Sequence, residues 1–413
     1  MENPRTKYFD LYEPFKVSKK MFFRILGVSV FLCHAFLYAV TDFDDADFNQ
    51  CGIEGADFHV VVKNVGQGSC TILKNRKNSH YLIVDAGTSS DTPVDIVNRM
   101  ASELGISESH TDLPSYAGKI SIITSHSDRD HINLFPKLLN LNAVLFNRTV
   151  KVFLGDLPEN YNSKDGKDLL EKVLPLLDPS VPLFTTTYVE DQLLDEYFLG
   201  EEHFPQTHVS ILCSNAGHDT SYHHNENTNS AVVRLCINGQ NILIMGDASA
   251  FTTRRYMINP SHREELRDTQ LLIESHHGAS DKDGANDGLW LSQIRPKHVA
   301  ISAGYFGGED SGYFHPNTEP FMDLVMIDSL QQHSTDSFDY SDEHEIAIGI
   351  RNLSDIEHTK RQLASFFTYF RNASKPHWLI FQTNLSIYNT ATSGDIRYIF
   401  RSDGSLTDFS REY

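Results

Sequence analysis

One buried strand that empties into a loop of carboxylates and imidazoles limits what this chain can fold into. Lys119–Thr124 (KISIIT) is apolar and β-branched. It runs straight into His126-Ser127-Asp128-Arg129-Asp130-His131, and Ile132–Leu141 then reads as a helix start. Strand, polar loop, helix is the order in which open sheets carry functional groups at their carboxyl edge. A plain helix-capping loop would account for Ser and Asp, whose side chains accept from free helix N–H groups. It does not account for two His and a second Asp within the same six residues. Carboxylate oxygen suits hard divalent metals and imidazole nitrogen suits zinc-like ones, so the loop predicts a metal site.

Other strand ends deliver the same residue types. Tyr81–Val84 (YLIV) ends at Asp85-Ala86-Gly87. Ala231–Ile237 and Gln240–Met245 read as a hairpin across Asn238-Gly239, a strong type I′ signal, and the second strand ends at Gly246-Asp247. Leu271–Glu274 leads into Ser275-His276-His277-Gly278, and the strand His298–Ser302 follows. In a two-metal site Asp247 can bridge ions roughly 3.5–4 Å apart. The plainer reading of Asp85 and Asp247 is a turn residue after a strand, and of His315 before Pro316 a loop histidine. Further strands are expected at Phe58–Asn64, Ser69–Leu73, Val150–Gly155, Ile346–Ile350, Trp378–Phe381 and Ile396–Phe400, with helices at Pro93–Leu104 and around Lys167–Leu177. Strands alternating with helices, together with antiparallel hairpins, predict an α+β sandwich of mixed sheets.

The motif order VDAG, HSDRDH, IMGD, ESHHG resembles the metallo-β-lactamase superfamily, and more narrowly the hydrolase domain of ComEC-type competence proteins. Gly66-Gln67-Gly68-Ser69, Asn227-Thr228-Asn229-Ser230 before Gly246-Asp247, Ser302-Ala303-Gly304, His315-Pro316, and the tail Gly394-Asp395-Ile396 with Ser402-Asp403-Gly404 extend the resemblance from Phe58 to Ser405. It implies a metallo-β-lactamase-like αββα sandwich, with residues 46–413 as the hydrolase domain and insertions at about 142–214 and 324–376. It also implies that His126 and Asp128 bind one metal. Asp130, His131 and one His of the 276–277 pair bind a second, and Asp247 bridges. Asp85 orients the site from beneath. Asp130, Asp247 and His315 are the expected catalytic residues, His315 as a donor to an oxyanion or leaving group, and Ser280 and His315 are expected to contact substrate. Two departures stand out. Asp128 replaces the superfamily's usual His, and the third-motif His is missing, with Asn227 and Asn229 near its place. Both make the first site harder, so Zn²⁺ or Mn²⁺, as one or two ions, is the expected cofactor. His218, His223 or His224 is a candidate for the missing ligand, although a solvated loop is the simpler reading.

Composition narrows the function. The 413 residues include 35 Lys+Arg against 55 Asp+Glu, a formal charge of −20, with 40% hydrophobic and 22% charged residues. That describes a folded globular protein and excludes a polytopic membrane protein and wholesale disorder. The charge argues against long, non-specific duplex binding too, because phosphate contacts need clustered Lys and Arg. Residues 1–45 read as a leader with an acidic linker. Ile25–Val40 is apolar, preceded by Lys16, Lys19, Lys20 and Arg24 and followed by Asp42, Asp44, Asp45 and Asp47. A secretory signal starting at Met21 (segment 21–40) fits best, giving a secreted or periplasmic protein. An uncleaved membrane anchor, short of the about 20 residues a span needs, and a buried helix are the alternatives. Of five Cys, Cys33 leaves with a signal peptide. Cys51 and Cys70 can pair outside the cytoplasm, while buried free thiols suit Cys70 and Cys236.

These features predict a metal-dependent hydrolase that uses a metal-bound hydroxide. Its substrate is expected to be a small or short anionic phosphodiester, a nucleotide or short nucleic acid. An ester, lactone or β-lactam hydrolase of the same fold is the alternative within enzymes. A catalytically degenerate binding protein is the alternative outside them.

Overall fold

The computed structural model describes residues 58–76, 80–89, 93–105, 118–141, 148–185, 189–194, 207–216, 226–257, 259–280, 285–304, 314–328, 330, 343–350, 352–367, 370–372 and 377–412. The leader-like segment, Cys33, Cys51, His218, His223 and His224 lie outside these residues. Among the described residues no helix is long and apolar enough to cross a membrane, and Cys70, Cys213 and Cys236 are buried and form no disulfide.

Eighteen strands are described, in chain order. They are β1 (Phe58–Val62), β2 (Thr71–Asn75), β3 (His80–Val84), β4 (Ile120–Thr124), β5 (Thr149–Leu154) and β6 (Leu183–Thr185). Next come β7 (Val189–Leu194), β8 (Thr207–Ser214), β9 (Val232–Ile237), β10 (Gln240–Ile244), β11 (Leu271–Ile273) and β12 (His298–Ile301). The last are β13 (His344–Gly349), β14 (Phe370–Asn372), β15 (Trp378–Thr383), β16 (Ile387–Asn389), β17 (Asp395–Phe400) and β18 (Leu406–Glu412). The first sheet runs β18-β17-β1-β2-β3-β4-β5-β6, the second β16-β12-β11-β10-β9-β8-β7, and a small third sheet β13-β15-β14. Both large sheets are mixed. Pairing is parallel from β3 to β6 and from β10 to β16, and antiparallel elsewhere.

Period-2 alternation explains how the sheets stack. Val60, Val62, Leu82 and Phe153 of the first sheet meet Val209, Val233, Leu235 and Ile273 of the second in one shared core. The alternate residues Ile72, Ile83 and Ile122 pack outward on Val97 and Met100 of the helix Pro93–Glu103. On the other side, Leu243, Leu272 and Val299 pack on Leu291 of the helix Gly288–Ile294, on Phe321 of the helix Thr318–Val325, and on Ile346 of the third sheet. The molecule therefore has the metallo-β-lactamase-like αββα arrangement that the motif order implies. The expected hairpin is present, with Asn238 at φ 48° and Gly239 at φ 82° between β9 and β10, as a type I′ turn requires. Strands β5 to β8 fall in the segment taken from sequence as an insertion, and they extend both large sheets instead of standing apart from them. The second such segment supplies β13 and β14 of the third sheet.

A buried ion network ties β1 and β17 to the helix Pro93–Glu103. Lys63, just after β1, lies 2.6 Å from Asp395 of β17, and Arg99 lies 3.0 Å from the same carboxylate. Arg397 donates to both carboxylate oxygens of Glu103, at 3.0 and 2.8 Å. Burial alone would raise the Glu103 carboxyl, but the Arg397 hydrogen bonds and the charges of Arg397 and Lys63 prevail and hold it below the usual range. That contribution to stability is complete above the ordinary Glu value of about 4.3 and fades as pH falls. Removing one partner of a buried pair strands the other charge. Asp395→Ala is therefore expected to cost about 3–5 kcal/mol in urea unfolding. Arg99→Ala, on a 43% exposed side chain, should cost under about 1 kcal/mol. Equal losses for the two variants would contradict this account.

Candidate metal centre

The chemistry-bearing loops all leave the carboxyl ends of parallel strands. Asp85 follows β3, residues 125–131 follow β4, Gly246-Asp247 follows β10, and Ser275–Gly278 follows β11. The face-to-face stacking of the sheets brings these loops together, so groups far apart in sequence meet across the sandwich.

Asp247 lies at the centre. Its Oδ1 is 3.0 Å from His131 Nε2 and 3.9 Å from His277 Nε2. Its Oδ2 is 3.6 Å from His276 Nε2 and 3.8 Å from His126 Nε2. Asp128 Oδ2 lies 3.4 Å from His126 Nε2, and Asp130 Oδ2 lies 3.5 Å from His277 Nε2. Two groups, His126–His131–Asp247 and Asp130–His131–His277, hold their ligand atoms within 4.8 Å of one another. His126, His131 and His277 are buried, whereas the Asp128 and Asp130 side chains are 36% and 27% exposed and form the open face. The structure thus brings together all seven residues taken from sequence as metal ligands. Both histidines of the 276–277 pair face Asp247, where the sequence implied one.

Asp85 sits beneath the cluster, fully buried, with φ 60°. Its Oδ2 accepts from His131 Nδ1 at 2.7 Å and from Ser125 Oγ at 2.7 Å, and its Oδ1 accepts from the Ser125 backbone N–H at 2.6 Å. With its proton given to Asp85, the Ser125 hydroxyl accepts from His126 Nδ1 at 3.0 Å. One carboxylate therefore orients two histidine rings, His131 directly and His126 through Ser125, and leaves both Nε2 atoms facing Asp247. His277 Nδ1 donates to the Ser302 carbonyl at 2.8 Å with the same result. Two glycines make room. A Cβ on Gly87 would fall 2.1 Å from the Asp130 carbonyl carbon, and one on Gly246, at φ 54°, would fall 2.5 Å from Ser125 Cβ.

The third-motif asparagines divide their work. Asn229 donates to buried Asp156 at 3.2 Å, and Ser127 donates to the same carboxylate at 3.0 Å, which braces the ligand loop. The Asn227 amide lies 3.5 Å from His276 Nδ1. His315 is half-buried, its ring centroid 5.7 Å from that of His276. Its orientation is set by Asn317. The Asn317 amide is fixed at both ends by backbone, donating through Nδ2 to the Phe314 carbonyl at 2.7 Å and accepting at Oδ1 from the Ser280 N–H at 2.7 Å. Oδ1, an acceptor, lies 3.2 Å from His315 Nδ1, so that nitrogen carries the proton and Nε2 keeps its lone pair. Burial, together with the neighbouring His276 and His277 charges, pushes His315 down to about 3. Ser280 is exposed, and its hydroxyl, like its N–H, points to Asn317 Oδ1.

The residues fit a cation. Among the described residues, His126 Nε2, His131 Nε2, His277 Nε2 and Asp247 Oδ1 are buried with no hydrogen-bond partner. His131 Nε2 and Asp247 Oδ1 are 3.0 Å apart, yet not aligned as donor and acceptor. Each such orphan costs about 1–3 kcal/mol, which a shared cation offsets. Burial alone would lower His131 and raise Asp247. The attraction between them, with Asp85 on the far side of His131, instead holds His131 well above and Asp247 well below their ordinary values. Asp130 is likewise held low against its burial by His277 and His131. The cluster is an environment that favours positive charge at its centre.

No known family's sequence pattern matches the chain, and no curated protein does. Among solved structures, it is similar to the metallo-β-lactamase fold protein YhfI from Bacillus subtilis, at 12% identity over 66% of this chain and 93% of that one, with a TM-score of 0.37. A diphosphatase of the PhnP family matches at 13% identity over 59% and 87%, TM-score 0.31. A metallo-β-lactamase family protein from Thermus thermophilus matches at 15% over 52% and 69%, TM-score 0.26. Similarity this low carries nothing about the chemistry, which rests on the side chains described above.

Ser125 and Asn317 were missed from sequence. Asn317 alone left a signal, an Asn at the start of a helix, but its side chain makes no cap hydrogen bond and serves His315 instead. Ser125→Ala removes the hydroxyl that fixes His126. Metal affinity in a competitive chelator titration is expected to fall on the order of 10–100-fold. An unchanged affinity would show that the hydroxyl does not orient the ligand.

Proposed function

We propose that the chain is a metal-dependent hydrolase acting on a phosphodiester, a nucleotide or a short nucleic acid. The observation that carries this reading is the convergence of buried, unpartnered imidazole and carboxylate atoms on Asp247 at the carboxyl edge of two parallel strand sets. His126, Asp128, Asp130, His131, Asp247 and the 276–277 pair would hold the metal. A bound divalent cation supplies Lewis acidity and positive charge for a developing anionic oxygen. Three carboxylates among these ligands favour a hard metal such as Mn²⁺, with Zn²⁺ suited to the imidazoles.

The chain's own groups divide the remaining work. Asp85 and Ser125 hold the ligand rings in their metal-ready tautomers. Asp128 and Asp130 form the open face where an anionic substrate meets the centre. His315, held beside His276 by Asn317, exchanges a proton with the substrate or the attacking water. The resemblance in motif order to ComEC-type hydrolase domains supports a phosphodiester over an ester, lactone or β-lactam. The apolar segment 21–40 supports export to a secreted or periplasmic location, with membrane contact only if the leader is retained.

The purified protein should hydrolyse bis-p-nitrophenyl phosphate with added Mn²⁺ and not turn over nitrocefin or acyl lactones. Asp247→Ala should abolish the activity. Turnover of a lactam or lactone without phosphodiester cleavage would overturn the substrate class, and no turnover of any of them in metal-loaded protein would overturn the enzyme reading. His315→Gln should lower kcat on the order of 10²-fold or more, the usual contribution of a positioned general acid or base. An unchanged kcat would remove His315 from the chemistry.

A further inference from the structure

We infer that a groove between three helices covering the second sheet binds an amphipathic organic anion, a carboxylate on an apolar body. The site is separate from the metal centre, and the inference does not depend on the reading of that centre. The helices Ala250–Met257, Pro260–Leu266 and Gly288–Ile294 pack on one another. Met257, Leu266, Trp290, Leu291 and Ile294 join them to the apolar core on the outer side of the sheet. Between them the helices leave a groove of about 460 Å³. Small-molecule sites typically occupy roughly 300–1,000 Å³. None of the residues lining this one belongs to the metal centre.

The lining has two chemical parts. Met257 and Trp290, both nearly buried, form an apolar floor, and Leu289 stands beside them. Leu289 is 56% exposed, so it offers apolar surface that a ligand would remove from water. Gln293 lies one turn further along the same side of that helix. Both charged residues of the lining are arginines, Arg254 and Arg263, in a chain whose acids outnumber its bases 55 to 35. Each guanidinium is anchored at its inner nitrogen. Arg254 Nε donates to Asp287 Oδ2 at 2.7 Å. Asp287 is itself fixed as the cap of its helix, accepting at Oδ1 from the Leu289 N–H at 3.1 Å. Arg263 Nε donates to the Met257 carbonyl at 2.7 Å. An anchored guanidinium has less freedom left to lose when a carboxylate binds. The apolar floor would supply affinity for the body of the ligand, and the arginines would select the sign of its charge through charge-assisted hydrogen bonds.

Trp290 lets the groove report on its own occupancy. The chain has two Trp, and the other, Trp378, belongs to β15 of the third sheet. The full chain is titrated with n-decanoate below its micellar concentration while tryptophan emission is followed. A saturable change is expected with decanoate, none with acetate, which lacks the apolar body, and a weaker one with decyltrimethylammonium, which reverses the charge. The double variant Arg254→Gln, Arg263→Gln should weaken decanoate binding on the order of tenfold or more. Leu289→Asp should remove the saturable change. All three substitutions fall on exposed residues and leave the apolar segment 25–40 untouched, so a loss of binding reports on the groove. Equal affinity for the decyl cation, or for decanoate in the double variant, would overturn the selection of an anion. No saturable change in wild type, or one that survives Leu289→Asp, would overturn the site itself.

Discussion

The site depends on one carboxylate surrounded by four imidazoles. Asp247 is delivered by the second sheet and faces His126 and His131 from the first, and His276 and His277 from its own. This meeting is possible only because the parallel halves of the two sheets stack with their carboxyl ends at the same edge. The shared apolar core fixes that stacking, and the buried network of Lys63, Glu103, Asp395 and Arg397 anchors β1 and β17 to the first helix. Stability and chemistry are thus arranged along the same strands, one toward each end.

Much of this was legible in the sequence, for identifiable reasons. Strand ends that carry Asp and His at turns report a site edge, so Asp85, Asp130, His131 and Asp247 were found from residue type and position. Asn238-Gly239 announced its hairpin because only a few residues accept two left-handed positions. The orienting groups were not legible. Ser125 is one more hydroxyl at the end of a strand, and Asn317 is one more Asn before a helix. Their roles come from contacts across 40 residues and across a loop. That both His276 and His277 face Asp247 was hidden because neither is glycine, so nothing in the letters marks the left-handed backbone. Strands β6 and β7 sit at sheet edges, where apolar patterning is weak. The ion network joins residues more than 290 positions apart, beyond any local pattern.

The acidic balance of the chain takes on a local meaning. Asp85, Asp128, Asp130 and Asp247 concentrate negative charge in one cluster; Asp247 and Asp85 hold His131 high, and the facing histidines hold Asp247 low, against the effect of burial. Cations placed there reverse the sign of the pocket that an anionic substrate meets. The net charge of −20 meanwhile repels long polyanions.

The central claim is that the groups around Asp247 form a metal centre. The most direct measurement is an anomalous difference map from crystals grown with Mn²⁺, collected above and below the manganese absorption edge. The account predicts strong peaks on either side of the Asp247 carboxylate, within ligand distance of the facing His Nε2 atoms. An empty map at that position, with the histidines hydrogen-bonded to one another or to water, would contradict it.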